Sequence, residues 1–167
     1  MFVTLLLAHF EITDLADKLY PFNTRNKIIM LESEYDVKKA HKIADEILEQ
    51  NKVYYVPYSI NAKYAYSVGD FGSLIENKNK AFELNPFDYT EYEEYCYMLI
   101  NGIDVYERMG DKKSVQVCER ELLSAKAKLN SNKTRLSTLG SMIVDQPTLK
   151  LPDTILNYIK RLEAEQR

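Results

Sequence analysis

Residues 55–88 read YVPYSINAKYAYSVGDFGSLIENKNKAFELNPFD, and the order of large, small and turn-forming residues in this stretch decides the fold. Tyr58, Ala62 and Ala65 follow one another in a first helix, and Gly69-Asp70 breaks it. Leu74, Ile75, Ala81 and Phe82 then recur at helical spacing along a second helix, with Glu76, Lys80 and Glu83 outside. Asp70 opens that second helix, where a carboxylate caps free amides and meets the positive end of the helix dipole. Pro86 closes it, because proline has no amide hydrogen and holds the preceding residue extended. Each helix is left with an apolar face that a neighbour must cover.

Working outward, the same punctuation recurs. Residues 16–23 and 81–88 match at Ala16/Ala81, Leu19/Leu84, Pro21/Pro86 and Phe22/Phe87, so each segment is a helix end stopped by proline. Asp36, Glu49 and Asn51 return 34 residues later as Asp70, Glu83 and Asn85. The spacing predicts amphipathic helices over Val37–Gln50 and Phe71–Leu84, each opened by its acid. A later unit carries Tyr92, Tyr95, Cys96 and Leu99 and reaches Gly110-Asp111 41 residues after Gly69-Asp70, which is seven more than the 34-residue frame. Seven residues are about two helical turns, so they lengthen a helix without rotating its buried face far. Gly102 inside it costs about 1 kcal/mol relative to alanine and marks a point where the helix could break. Its partner is expected from Lys112 to about Asn130, with Val115, Cys118, Leu122, Leu123, Ala125 and Leu129 as core. Two further helices, about Lys133–Val144 and Asp153–Glu165, would close the stack as caps, because the last apolar face has no successor.

Composition agrees. The chain has 167 residues, 46% of them hydrophobic and 28% charged, which fits one folded domain and excludes a disordered chain. Only five glycines and five prolines are present, too few turns for a many-stranded sandwich or barrel. The net charge of -3 excludes general attraction to the phosphate backbone of nucleic acid. Charge is nonetheless segregated: nine acids face two lysines between Asp70 and Glu107, and seven bases face three acids between Asp111 and Arg135. Solvated helix faces of alternating sign account for this pattern.

Residues 1–10, MFVTLLLAHF, are strongly apolar but shorter than the about 20 residues that a bilayer span needs. They read either as a buried first helix or as the trailing end of a membrane segment. A signal peptide is disfavoured, since no cation precedes the run and no small-residue cleavage site follows it. Cys96 and Cys118 are expected as buried free thiols: on antiparallel helices joined near Gly110 they sit roughly 9 Å apart along the axis, at about 1.5 Å per residue.

No constellation for catalysis is legible. His9 falls in the apolar run and His41 among the cations Lys38, Lys39 and Lys42, and neither has metal-ligand spacing. No phosphate-cradling glycine loop is present. Glu91, Glu93 and Glu94 cluster where a helix starts, a placement that complements its dipole. The sequence therefore predicts no enzyme, no cofactor and no metal site. Ten of the thirteen tyrosines lie between Tyr54 and Tyr106, where they serve packing and, at exposed positions, recognition.

The stretch from Tyr55 to Asp88 resembles the tetratricopeptide repeat. Tyr58, Ala62, Gly69, Asp70, Phe71, Ala81 and Pro86 occupy the family's places; Asn61 and Leu74 depart from its preferred leucine and alanine. The resemblance implies an all-α, right-handed superhelix of antiparallel helix pairs. Its units would be an apolar helix over 1–23, helix pairs over 24–54, 55–88 and 89–130, and capping helices over 131–167. It further implies a concave groove lined by first helices, with Lys63, Tyr66, Glu93, Tyr97 and Asn101 facing a protein or peptide partner. The lysine and asparagine pairs of the chaperone-tail-binding members are not reproduced. The order of apolar stub, Ala-x-x-Leu-x-Pro-Phe-Asn, Gly-Asp turn, Ala-Phe-Glu-Leu-Asn-Pro-Phe-Asp, tyrosine-rich helix and Asp145-Gln146-Pro147 is similar to the soluble C-terminal region of O-antigen ligase or polymerase-like membrane proteins. That resemblance implies a non-catalytic accessory module beside a polysaccharide-assembly enzyme, tethered through residues upstream. A free-standing adaptor and a glycan-binding module are the alternatives.

Overall fold

The computed structural model describes the backbone of residues 22–140 and 151–165, with side chains described over 26–132 and 151–165. Among the described residues there are seven α-helices and no strand: α1 (Phe22–Ser33), α2 (Val37–Gln50), α3 (Tyr55–Ser67), α4 (Phe71–Leu84), α5 (Tyr89–Met109), α6 (Lys112–Gly140) and α7 (Asp153–Glu165). The all-α reading therefore holds. Helices α2 and α4 have the bounds that the pattern predicts. The apolar helix expected over 1–23 lies outside the described residues as far as Pro21, together with His9, while Phe22 and Asn23 already belong to α1.

Capping explains where α2, α4, α5 and α6 start. Asp36 accepts from the amides of Lys38 and Lys39 at 3.0 and 3.2 Å, and Asp88 from Glu91 at 3.3 Å. The two Gly-Asp turns are built alike. Gly69 and Gly110 sit at φ 76° and 71°, a left-handed conformation open to glycine without strain. The amide after each reaches back to close the preceding helix, Asp70 to the Ala65 carbonyl at 2.9 Å and Asp111 to the Tyr106 carbonyl at 3.0 Å. Each aspartate then caps the next helix through a serine three residues on, Ser73 or Ser114. Hydrogen bonds from these serines hold both carboxyls below the usual aspartate value.

Side-chain contacts fix the order of packing. From α3 to α5, Ser59 meets Glu91, Lys63 meets Glu94 and Tyr66 meets Asn101, so these helices lie side by side and run in the same direction. From α4 to α6, Asn79 meets Lys128 and Pro86 meets Asn132, which sets that pair in one direction as well. Helix α7 meets α5 through Tyr97–Thr154 and α6 through Lys126–Glu163. It buries Ile155, Ile159 and Leu162 in the cluster shared with them.

Two apolar clusters result. Leu31, Ala40, Ala44 and Ile47 form one with Tyr54, Val56 and Ile60 of the α3 region, and the second joins α3 through α7. Helix α3 is thus covered on both sides. Cys96 and Cys118 are buried free thiols within the larger cluster, and burial pushes them up to about 12 and about 11.

The lengthened helix stands as expected, and one helix boundary is corrected. Helix α5 runs unbroken through Gly102, and the missing side chain is where the Phe71 ring lies: a Cβ there would collide with Phe71 Cε1. Helix α6 does not end near Asn130 with a new helix at Lys133 but continues to Gly140. Asn130-Ser131-Asn132 holds no glycine or proline, and the Asn132 amide bonds to Pro86 and Tyr92 instead of competing for its own helix. The remainder of the helix expected to Val144 lies outside the described residues. No helix among the described residues is long and apolar enough to cross a membrane.

Candidate interaction surface

The five residues singled out by the sequence fall on α3 and α5, where helical spacing groups Lys63 with Tyr66 and Glu93 with Tyr97 and Asn101. Asn101 Nδ2 donates to the Tyr66 hydroxyl at 2.9 Å, linking two of the five directly. Lys63 pairs at 3.0 Å with Glu94, one position beyond Glu93, which stays partly exposed. Tyr97 is 42% exposed and its hydroxyl lies 3.4 Å from Thr154 Oγ1 at the start of α7. The stripe thus crosses three helices, with an exposed aromatic ring at its centre.

Beneath the stripe lies a charged cluster that sequence reasoning missed. Lys78 of α4 is fully buried, and its ammonium donates to Glu91 at 2.6 Å and to Glu94 at 2.9 Å. Ser59 of α3 donates to the same Glu91 oxygen at 2.5 Å. Burial alone would raise the Glu94 carboxyl, but the Lys78 charge, its hydrogen bond and Lys63 together hold it below the usual value. Glu91 and Glu94 therefore do more than complement the α5 dipole: they neutralise a cation that sits wholly within the fold. Chemically the cluster is closed, since each carboxylate already holds a cation and the ammonium has no path to solvent.

His41 is also not simply one surface cation among others. Its ring stacks on Tyr64 at 3.9 Å, its Nδ1 meets Asn61 Oδ1 at 2.9 Å, and Asn61 Nδ2 donates to Asp45 at 2.7 Å. Asn61 is thus the polar rivet between α2 and α3, and only 8% exposed. Its place between Ile60 and Ala62 was the available signal.

A second feature lies where α5, α6 and α7 meet. Asp104, Glu107, Glu119 and Glu165 surround Tyr158 and Arg161, whose guanidinium stands 5.0 Å from the tyrosine ring centre. Burial and then Glu165 and Glu107 raise the Glu119 carboxyl, and burial with Glu107, Asp104 and Glu119 pushes Tyr158 up to about 12. Among the described residues no group of three or more His, Cys, Asp or Glu is arranged to hold a metal ion. Compared with known proteins, the chain matches no family model, no curated protein and no solved structure.

Proposed function

We propose that the chain is a non-catalytic protein-interaction scaffold of the tetratricopeptide kind, whose partner peptide lies along Lys63, Tyr66, Glu93, Tyr97 and Asn101. The observation that carries this reading is the shared direction of α3 and α5, set by three cross-helix contacts, with Tyr97 open on the surface they make. Helices stacked in this way curve into a trough, because each pair is rotated slightly on the last. An exposed tyrosine beside a half-bonded carboxamide supplies an anchor with few torsions to freeze. In the full proposal the chain is the soluble accessory domain of an O-antigen ligase or polymerase-like membrane protein, reached through the apolar residues 1–10.

A photo-crosslinking residue at Tyr97, with a control at exposed Lys39 on α2, tests the scaffold in cells. The expected result is a discrete protein adduct from position 97 alone, weakened by Asn101→Arg. Saturable oligosaccharide binding by the purified chain without any protein adduct would refute it. Fractionation of the native gene product tests the tether, which requires it to sediment with membranes.

A further inference from the structure

A cavity of about 530 Å³ opens between the C-terminal end of α4, the start of α5 and α6, within the roughly 300–1,000 Å³ range of small-ligand sites. Tyr92 and Asn132 line it and are 1% and 8% exposed. The Pro86 carbonyl can only accept, so the Asn132 group facing it at 2.7 Å is the amide nitrogen. That nitrogen directs its second proton to the Tyr92 hydroxyl at 3.1 Å. The hydroxyl oxygen is therefore an acceptor in this bond, and its own proton has no acceptor among the described residues. Asn132 Oδ1 likewise has no donor among them. Buried donors and acceptors are paired in nearly all folded proteins, so two orphans on neighbouring groups at the wall of one cavity point to a missing partner.

We propose that this pocket binds an uncharged side-chain carboxamide, as carried by a glutamine or asparagine of a peptide. Its carbonyl would accept from Tyr92 and its amide would donate to Asn132 Oδ1. A carboxamide has a second proton and a second lone pair, and the rim supplies partners for both. Ser131 can accept the proton, and the Lys128 ammonium, bound to Asn79 at 2.7 Å, keeps further donors. A lone hydroxyl would match the orphaned pair but leave that rim unused. Phe82, stacked on Tyr92 at 3.9 Å, and Pro86 flank the aliphatic stem. Glu83 at the mouth is already paired with Lys80 at 2.7 Å; a carboxylate would bring no donor to Asn132 Oδ1 and an ammonium no acceptor to Tyr92, so the orphaned pair favours a neutral ligand. This site uses α4, the start of α5 and α6, and shares none of the five stripe residues.

Titrating the ¹⁵N-labelled full chain with N-acetylglutamine methylamide tests the assignment. N-acetylnorvaline methylamide serves as the apolar control and glucose as the hydroxyl control. The glutamine probe should shift the Asn132 side-chain amide resonances saturably, and the norvaline probe should leave them unmoved. Tyr92→Phe should weaken the glutamine probe roughly fivefold, the worth of one neutral hydrogen bond. Ser131→Ala, at the exposed rim, should weaken it as well while leaving both buried groups in place. The proposal is overturned if no probe shifts Asn132, as when the pair holds only water. Equal binding of norvaline, saturation by glucose instead, or unchanged affinity in both variants would overturn it too.

Discussion

Replacing Lys78 by methionine keeps most of the side-chain volume and removes the one cation that is wholly buried among the described residues. The loss can be bounded from the geometry. Breaking a buried ion pair from one side costs about 3–5 kcal/mol, because the remaining charge is left uncompensated. Here the two carboxylates keep other support: Glu91 retains Ser59 and is 15% exposed at its side chain, and Glu94 retains Lys63 and is 32% exposed. The expected loss therefore lies at the lower end, about 3 kcal/mol, a large share of the about 5–15 kcal/mol that holds a domain folded. For a chain of this size that lowers the melting temperature by roughly 6–12 °C, followed by the helical circular dichroism signal. Adding Glu91→Gln and Glu94→Gln to Lys78→Met should restore most of the loss, since an uncharged trio no longer requires the cation. The pH dependence has a definite sign. Glu94 is held below its ordinary value in the folded chain, so its stabilisation is present above the unfolded carboxyl range and is lost as pH falls through the folded value. The deficit of Lys78→Met is thus greatest near neutrality and shrinks as Glu94 is protonated in acid. A change under about 0.5 kcal/mol at neutral pH, typical of exposed ion pairs, would refute the reasoning. So would a failure of the triple variant to recover.

Three further outcomes follow from the same geometry. Gly102→Ala should destabilise the fold by about 1–3 kcal/mol despite alanine's better helix propensity, because the new methyl meets a Phe71 ring held between Tyr66 and Tyr106; combining it with Phe71→Leu should return part of the loss in urea unfolding. Glu119→Gln should raise the melting temperature slightly at neutral pH and leave it unchanged in acid, since a carboxyl raised by burial, Glu165 and Glu107 opposes folding only while ionised; a loss at neutral pH would contradict this. Cys96 and Cys118 should react with a thiol reagent no faster than the chain unfolds, because both are buried and held mainly as thiols; immediate labelling of the native protein would show that the cluster around them is open.

The turns were the legible part of this fold. Gly69-Asp70 and Gly110-Asp111 announce a left-handed residue and a helix cap in two letters, and the proline at 86 ends a helix by chemistry that no packing can override. Positions whose meaning depends on the partner helix were not legible. Lys78 sits in the polar string Glu76-Asn77-Lys78-Asn79-Lys80, yet it shares a face with Leu74, Ala81 and Phe82, and that register was the one hint that it points inward. Gly102 read as a weakness of α5 because the ring that needs its space lies 31 positions earlier, at Phe71. Among the groove candidates the spacing grouped residues along each helix. Which residue of α3 meets which of α5 is set by their stagger, and stagger leaves no mark on either segment alone.

That stagger is what the buried polar groups determine. Apolar faces of alanine, leucine and tyrosine are tolerant: sliding one helix a turn of about 5.4 Å past its neighbour exchanges one apolar contact for another. The polar joints do not tolerate it. A one-turn slip of α4 against α5 would carry the buried Lys78 ammonium away from Glu91 and Glu94. The same slip of α2 against α3 would part Asn61 from His41 and Asp45. On α6 it would strip Asn132 from the Pro86 carbonyl. Each displacement leaves a buried donor or charge without its partner, at a cost of about 1–3 kcal/mol for a neutral group and more for the lysine. The successive joints α2–α3, α4–α5 and α4–α6 therefore each carry their own lock. Together they hold the directions of α3 and α5 on which the proposed binding face depends.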